Sequence, residues 1–203
     1  MKITDKKTYE NRTQYILENK ETYVIMGIKN LPFNYDTGDE IHDIKRFIDK
    51  IYSYNYNAIL DEAAKKLSHA AYSENKMRKF FEKQNYPADV SENVMEYLKQ
   101  HKFIDDVSFA ENITRKNKDK FESKRRIMMK IQSKGISKED AINAVSDFDE
   151  EYEENSAYMY ACKKMKTYSG KSDEEIRKKL MYSLSYRGFS YNTIKKVIDK
   201  ILK

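Results

Sequence analysis

The chain repeats one helix–turn–helix phrase three times. Each copy has a short helix with apolar residues at helical spacing, a turn, and a second apolar-periodic helix. The turns contain Asn85, Gly135 and Gly188, so the copies recur about every 50 residues. A repeat at such a period is typical of proteins whose units stack on their neighbours and bind extended partners along a surface. The pattern therefore predicts a binding protein built from repeats.

Helical patterns before each phrase extend every copy to three helices. We predict a mainly α fold, an elongated tandem array of three three-helix repeats with a small N-terminal extension of a β-hairpin and a helix. The predicted segments are the extension at residues 1–57 and repeats at 58–106, 107–151 and 152–203. Only five glycines and two prolines occur in 203 residues, which favours long helices.

The N-terminal extension differs in pattern from the rest. Residues 13–17 and 22–26 are β-branched and aromatic and flank a polar turn, which predicts a hairpin. From Asp36 or Thr37, the predicted N-cap, apolar residues follow at helical spacing. The tyrosine-rich stretch 52–57 is interpreted as a junction between two helices, with a stacking platform for bases as the alternative.

Short polar residues predict where the later helices begin, because their side-chain oxygens accept hydrogen bonds from free backbone N–H groups. The predicted N-caps are Asp105, Ser123, Ser137, Ser172 or Asp173, and Ser190. Asp106, next to Asp105, is assigned to the same helix end, and a partner contact is the alternative for both carboxylates. The residues expected to hold the fold are Phe103, Phe109, Ile127, Ile131, Gly135, Ile136 and Phe189.

No motif in the sequence points to catalysis. His42, His69 and His101 stand apart from other metal ligands, and there is no Gly-rich phosphate loop or nucleophile motif. We expect no enzyme activity, no cofactor and no metal. Cys162 has no second cysteine to pair with, and no apolar run approaches the roughly 18 residues of a membrane span. We therefore expect a cytoplasmic protein without a membrane segment.

The formal net charge is +6, and the charge is unevenly distributed. Residues 115–130 contain eight basic and two acidic side chains, whereas residues 147–154 are strongly acidic. Each run is interpreted either as a solvated face or as a binding surface. As a binding surface, the basic run would meet phosphate or an acidic protein groove, and the acidic run would meet a basic protein surface.

Several phrases resemble the RecX family of regulatory proteins. Residues 103–110 resemble its aromatic–aliphatic–Asp-Asp-x-x-Phe-Ala phrase, and residues 134–136 and 187–191 resemble its Lys-Gly-Ile and Arg-Gly-Phe-Ser-Tyr elements. The resemblance covers about residues 58–202. The chain departs from the family at Asn85, where a glycine is usual, and at residues 71–72, where an arginine is frequent.

The resemblance implies a modulator of the RecA recombinase. Family members are arrays of three-helix repeats that lie in the groove of the RecA–single-stranded DNA filament. They inhibit its ATP hydrolysis, its coprotease activity towards LexA-type repressors and its strand exchange, and some bind DNA. The resemblance thus implies a role in homologous recombination, DNA repair and the SOS response. The expected partners are the RecA filament and single-stranded DNA, with double-stranded DNA as a further option, and the expected state is a monomer.

Ten basic residues are the candidates for contact with the filament or with DNA. They are Arg115, Lys118, Lys124, Arg125, Arg126, Lys178, Lys179, Arg187, Lys195 and Lys196. One alternative function is a stand-alone helical DNA-binding transcriptional regulator, whose middle unit would place a helix in the major groove of a specific site. Another is a scaffold for a peptide-like partner, which would respond neither to DNA nor to RecA.

Overall fold

A computed structural model of the protein describes residues 1–27 and 31–202. In this part of the chain three strands are followed by nine helices, so the mainly helical class with a small N-terminal sheet is confirmed. The elements are β1 (Ile3–Thr8), β2 (Arg12–Leu17), β3 (Thr22–Met26), α1 (Ile44–His69), α2 (Glu74–Lys83), α3 (Ala88–Gln100), α4 (Asp106–Lys118), α5 (Lys124–Ser133), α6 (Lys138–Asn143), α7 (Glu150–Met165), α8 (Asp173–Tyr186) and α9 (Tyr191–Ile201).

Contacts divide the chain into two compact units. The first consists of Met1–Tyr72 and Lys76–Ile104, and the second of Ser73–Asn75 and Asp105–Lys203. The division into an extension and three repeats stays a prediction. Its boundary between residues 57 and 58 falls inside α1.

The N-terminal sheet is antiparallel with strand order β1-β2-β3. The predicted hairpin is β2 and β3, in which Thr13 pairs with Ile25 and Tyr15 with Tyr23. β1 was not predicted, because its sequence is mostly polar and alternates weakly. It pairs with β2 through Ile3, which lies opposite Leu17, and both of these side chains are buried.

The first helix begins later than the sequence predicted. Asp36 and Thr37 do not cap it, because α1 starts at Ile44 and its N-cap is Asp43, whose Oδ1 accepts a hydrogen bond from the Arg46 N–H at 2.9 Å. Asp36 instead pairs with Lys6 Nζ at 2.7 Å. The intervening chain runs beside β1, since Lys2 and Glu40 form an antiparallel bridge.

The predicted helix junction at residues 52–57 is wrong, because α1 is continuous over 26 residues. A buried side chain recurs at every fourth position, at Phe47, Ile51, Asn55, Ile59 and Ala63. Asn55 is 1% exposed and serves the sheet. Its Oδ1 accepts from the Met26 N–H and its Nδ2 donates to the Val24 carbonyl, both at 2.8 Å. Asn55, within the tyrosine-rich stretch, thus pairs with two backbone groups of β3.

The first unit has two apolar cores. One joins the sheet to α1, where Phe47 packs edge-to-face on Tyr15 and Tyr23. The other joins α1, α2 and α3, and its buried residues are Ile59, Ala63, Met77, Phe81, Val90, Val94, Met95, Leu98 and Ile104. α1 therefore contributes to both cores, which explains its length.

The second unit also has two apolar cores, one for each set of three helices. The core of α4–α6 comprises Ala110, Ile127, Ile131, Ile136, Ala141, Val145 and Phe148. The core of α7–α9 comprises Ala157, Tyr160, Ala161, Ile176, Leu180, Leu184, Phe189, Ile194, Val197 and Ile198. The predicted N-caps Asp105, Ser123, Ser137, Ser172 and Ser190 are confirmed, and Ser172 forms a capping box with Glu175.

The three recurring turns share one backbone conformation. Asn85, Gly135 and Gly188 have φ values of 55°, 87° and 86°. This left-handed conformation suits glycine and is tolerated by asparagine. Gly188 is restricted further, because a Cβ atom there would lie 2.5 Å from Ser123 Oγ. The repeated turn predicted from the sequence is confirmed.

The predicted fold-holding residues are mostly buried. Ile127, Ile131, Ile136 and Phe189 are at most 5% exposed, and Phe109 is half-buried. The prediction is wrong for Phe103, which is 58% exposed. Its ring lies beyond the end of α3, parallel to the rings of Tyr97 and His101 and 6.4 Å from each.

Candidate partner and nucleic-acid interface

The basic run predicted at residues 115–130 surrounds a buried carboxylate. Glu122, between α4 and α5, is 6% exposed. Its Oε2 lies 2.5 Å from Lys130 Nζ, and its Oε1 lies 3.7 Å from Arg126 Nε and 3.9 Å from Arg187 Nη1. We call these four residues the Glu122 cluster. A buried carboxylate is stable only when cations and donors surround it, so this cluster has a structural role.

The two arginines of the Glu122 cluster also bind backbone carbonyls and aromatic rings. Arg126 donates to the Tyr186 carbonyl, and its guanidinium carbon lies 4.4 Å from the centre of that ring. Arg187 donates to the Lys120 carbonyl and lies 4.2 Å from the centre of the Tyr160 ring. These contacts join α5 and the segment before it to the end of α8, and the end of α8 to α7. Two of the predicted partner-binding residues thus hold the second unit together.

Close backbone packing explains why the Glu122 cluster can form. The Ser123 N–H donates to the Arg187 carbonyl at 3.3 Å, immediately before Gly188. Gly188 lets Ser123 and Arg126 approach, since an added Cβ would also lie 3.1 Å from Arg126 Cβ. The sequence therefore places glycine where two chain segments meet as well as where the helix ends.

Lys118 and Lys124 are also partly engaged inside the second unit. Lys118 Nζ lies 5.7 Å from the ring centres of both Phe148 and Tyr152. Lys124 Nζ donates to the Phe148 carbonyl at 3.1 Å, and its backbone N–H donates to Glu153 Oε1 at 2.5 Å. Burial raises the pKa of the Glu153 carboxyl, and the hydrogen bond from Lys124 offsets part of that rise.

Lys196 and much of the acidic run neutralise one another. Lys196 Nζ pairs with Glu150 at 3.0 Å and with Glu154. Hydrogen bonds to Glu154 and Glu150 raise the pKa of the Lys196 ammonium group. Asp149 caps α7 by accepting from the Tyr152 N–H at 2.8 Å. Asp149 is therefore committed to the helix end, while the pair of Lys196 with Glu150, whose side chains are 56% and 82% exposed, lies on the surface.

The remaining candidates lie on the surface of the second unit. Arg125, Lys179 and Lys195 are exposed, and we call these three the exposed basic set. Arg115 is exposed and donates to Asn112 Oδ1 at 2.6 Å, and Lys178 pairs with Glu174 at 2.7 Å. Exposed pairs of this kind are weak and exchange readily with water. All five side chains are accessible to a partner.

Asp105 and Asp106 both serve helix ends. Asp105 Oδ1 accepts from the Ser108 N–H at 2.9 Å, as predicted for an N-cap. Asp106 Oδ1 accepts from the Glu74 N–H, the first residue of α2, at 3.0 Å. The main assignment to capping is confirmed for Asp105, while Asp106 acts on a different helix from the one it begins.

Several important residues were missed from the sequence. Glu122 and Lys130 were overlooked because an acid within a basic run suggests only charge balance, although each lies four residues from Arg126.

Among residues 1–27 and 31–202, no group of three or more His, Cys, Asp or Glu side chains is placed to hold a metal. In the same part of the chain, every helix is too short or too polar to cross a bilayer.

The arrangement of α4–α6 and α7–α9 defines a protein of tandem three-helix units. Residues 150–198 match the family model described as RecX, third three-helix domain. The regulatory protein RecX of Clostridioides difficile strain 630 is 28% identical over 204 residues, which cover 99% of this chain and 94% of that protein. That of Vibrio vulnificus strain CMCP6 is 27% identical over 135 residues, 66% of this chain and 87% of that protein.

Solved structures show the same fold. A crystal structure of a regulatory protein RecX superposes with a TM-score of 0.64 at 20% identity, covering 98% of this chain and all of that one. RecX from Lactobacillus salivarius superposes with a TM-score of 0.60 at 23% identity, covering 73% of this chain and 95% of that one. The resemblance to the RecX family predicted from the sequence is thereby confirmed.

Proposed function

We propose that this protein regulates the RecA recombinase by binding the RecA–single-stranded DNA filament. The observation that carries the proposal is similarity to a regulatory protein RecX along 99% of the chain, together with the shared fold. The expected effects are inhibition of ATP hydrolysis, of repressor cleavage and of strand exchange. The protein would thereby modulate recombination and DNA repair, through binding and without catalysis of its own.

We propose that the exposed basic set contacts the filament and that Arg115 and Lys178 also contribute. These side chains are accessible, and a basic surface attracts both phosphate and acidic protein grooves. Arg126 and Arg187 are held in the Glu122 cluster, with 29% and 25% of their side chains exposed. Lys118, Lys124 and Lys196 each contact an aromatic ring, a carbonyl or carboxylates of the second unit and are expected to contribute less.

The direct test is the ATPase rate of RecA from the same organism on single-stranded DNA, with this protein added in substoichiometric amounts. We expect strong inhibition, weakened by Arg125→Glu. Arg126 should be left intact in this test, because replacing it would disturb the Glu122 cluster. An unchanged ATPase rate at stoichiometric excess would overturn the proposal and favour a stand-alone DNA-binding regulator.

A further inference from the structure

The outward face of α8 exposes two tyrosines. Tyr182 is 77% exposed and Tyr186 is 66% exposed. They lie four residues apart, on one side of the helix. The buried residues of α8 are Ile176, Leu180 and Leu184, which lie on the other side. The apolar core of α7–α9 contains neither ring, and the contact of Tyr186 with Arg126 covers only part of a ring that stays 66% exposed.

Basic side chains flank the same face. Lys179 is exposed and lies three residues before Tyr182. Arg126 stacks on Tyr186, with its guanidinium carbon 4.4 Å from the ring centre, and its side chain keeps 29% of its surface exposed. Carboxylates occur only towards the start of α8, where Glu174 pairs with Lys178. A polyanion is thus favoured along the second half of the helix.

We propose that Tyr182 and Tyr186 form a base-stacking ridge for single-stranded DNA, with Lys179 and Arg126 near the adjacent phosphates. The inference rests on the proposed function, and it assigns the DNA strand to a particular surface. Exposed aromatic rings next to cations are what sequence-tolerant single-strand binding requires, because every base offers a ring face. The Arg126–Tyr186 contact already shows the Tyr186 ring used as a stacking surface within the protein.

The spacing of the rings favours an unpaired, extended strand. Four residues of α-helix advance about 6 Å, whereas neighbouring bases in a B-form strand are about 3.4 Å apart. Two adjacent bases can therefore meet both tyrosines only if they separate from each other. Bases in a duplex remain stacked on their neighbours, so double-stranded DNA should bind the ridge poorly.

The test measures binding of the full chain to fluorescently labelled oligo(dT), and to an abasic strand of the same length. We compare the wild type with the Tyr182→Ala/Tyr186→Ala variant and with the conservative Tyr182→Phe/Tyr186→Phe variant. The alanine variant should weaken oligo(dT) binding at least about fivefold and leave abasic binding unchanged. The phenylalanine variant should retain the affinity, because it keeps the rings.

Tyr9→Ala provides a matched control in the first unit. Tyr9 is 43% exposed and carries the Arg12 guanidinium carbon 4.9 Å from its ring centre, so it repeats the chemistry of the ridge at another place. Removal of this ring should not change oligo(dT) binding. If Tyr9→Ala lowered the oligo(dT) affinity as much as the Tyr182→Ala/Tyr186→Ala variant does, exposed tyrosines would contribute non-specifically and the assignment would be overturned.

The assignment of the ridge is also overturned if the folded alanine variant binds oligo(dT) as tightly as the wild type does. It is overturned as well if the variant's affinities for oligo(dT) and for the abasic strand fall by the same factor. Failure of the wild type to prefer bases over the abasic strand would overturn it too. The RecA ATPase assay separates this inference from the proposed function. If the wild type does not change the ATPase rate, the regulator proposal fails, whatever the ridge binds.

Discussion

The Glu122 cluster and the exposed basic set contain the same kinds of side chain in opposite settings. In the cluster, Arg126 and Arg187 face a carboxylate that is 6% exposed and donate to backbone carbonyls. In the exposed set, Arg125 lies next to Arg126 in sequence but on the surface. One buried acid therefore divides a basic run into a part that holds the fold and a part that can meet a partner.

The largest effect is expected at Gly188, which lets the chain segments of the Glu122 cluster approach each other. Gly188→Ala adds a Cβ 2.5 Å from Ser123 Oγ in a left-handed conformation, with φ 86°. We expect a loss of about 2–5 kcal/mol in the free energy of unfolding, measured by urea titration. Gly170→Ala is the control, because φ is 80° there and nothing lies within 4 Å of the added atom. It should cost about 1–2 kcal/mol. Equal losses would mean that the close approach does not matter.

Removal of the central charge should have the next largest effect. Glu122→Gln leaves three cations without their carboxylate, and we expect a loss of about 2 kcal/mol, since the cations are partly exposed. Glu174→Gln is the control, because Glu174 and its partner Lys178 are 77% and 75% exposed. It should change the free energy of unfolding by less than about 0.5 kcal/mol. If urea unfolding gave similar values for both variants, the cluster would be no more than a surface network.

These contrasts also mark what could be predicted from the sequence. Helix starts at Asp105, Ser123 and Ser190 were predictable, because capping depends on one side chain and the next turn of backbone. The continuous α1 was not, since the tyrosine-rich stretch 52–57 suggests a helix junction and the hydrogen-bond partners of Asn55 in that stretch lie far away in sequence, in β3. The Glu122 cluster was missed for a similar reason, because its partner Arg187 lies 65 residues away in sequence.

The smallest effect is a pH dependence at the edge of the basic run. Burial raises the pKa of Glu153 in the folded protein, so the folded state binds its proton more tightly than the unfolded state does. Its contribution to stability is therefore full below the ordinary carboxyl pKa and is lost as the pH rises through the raised value. Glu153→Gln removes this loss, so the variant should be more stable than the wild type at neutral pH, by less than about 1 kcal/mol, and should lose this advantage at acidic pH. An advantage over the wild type that grew as the pH fell would contradict this sign.

The most direct test of the central claim is equilibrium binding of this protein to a preformed RecA–single-stranded DNA filament. The test variant replaces the exposed basic set, as Arg125→Gln/Lys179→Gln/Lys195→Gln. The control, Lys45→Gln/Lys79→Gln/Lys83→Gln, makes the same charge change at exposed lysines of the first unit. We predict that the test variant binds about tenfold or more weakly, with an unchanged free energy of unfolding, and that the control loses much less. Wild-type affinity in the test variant would contradict the claim that the exposed basic set meets the filament.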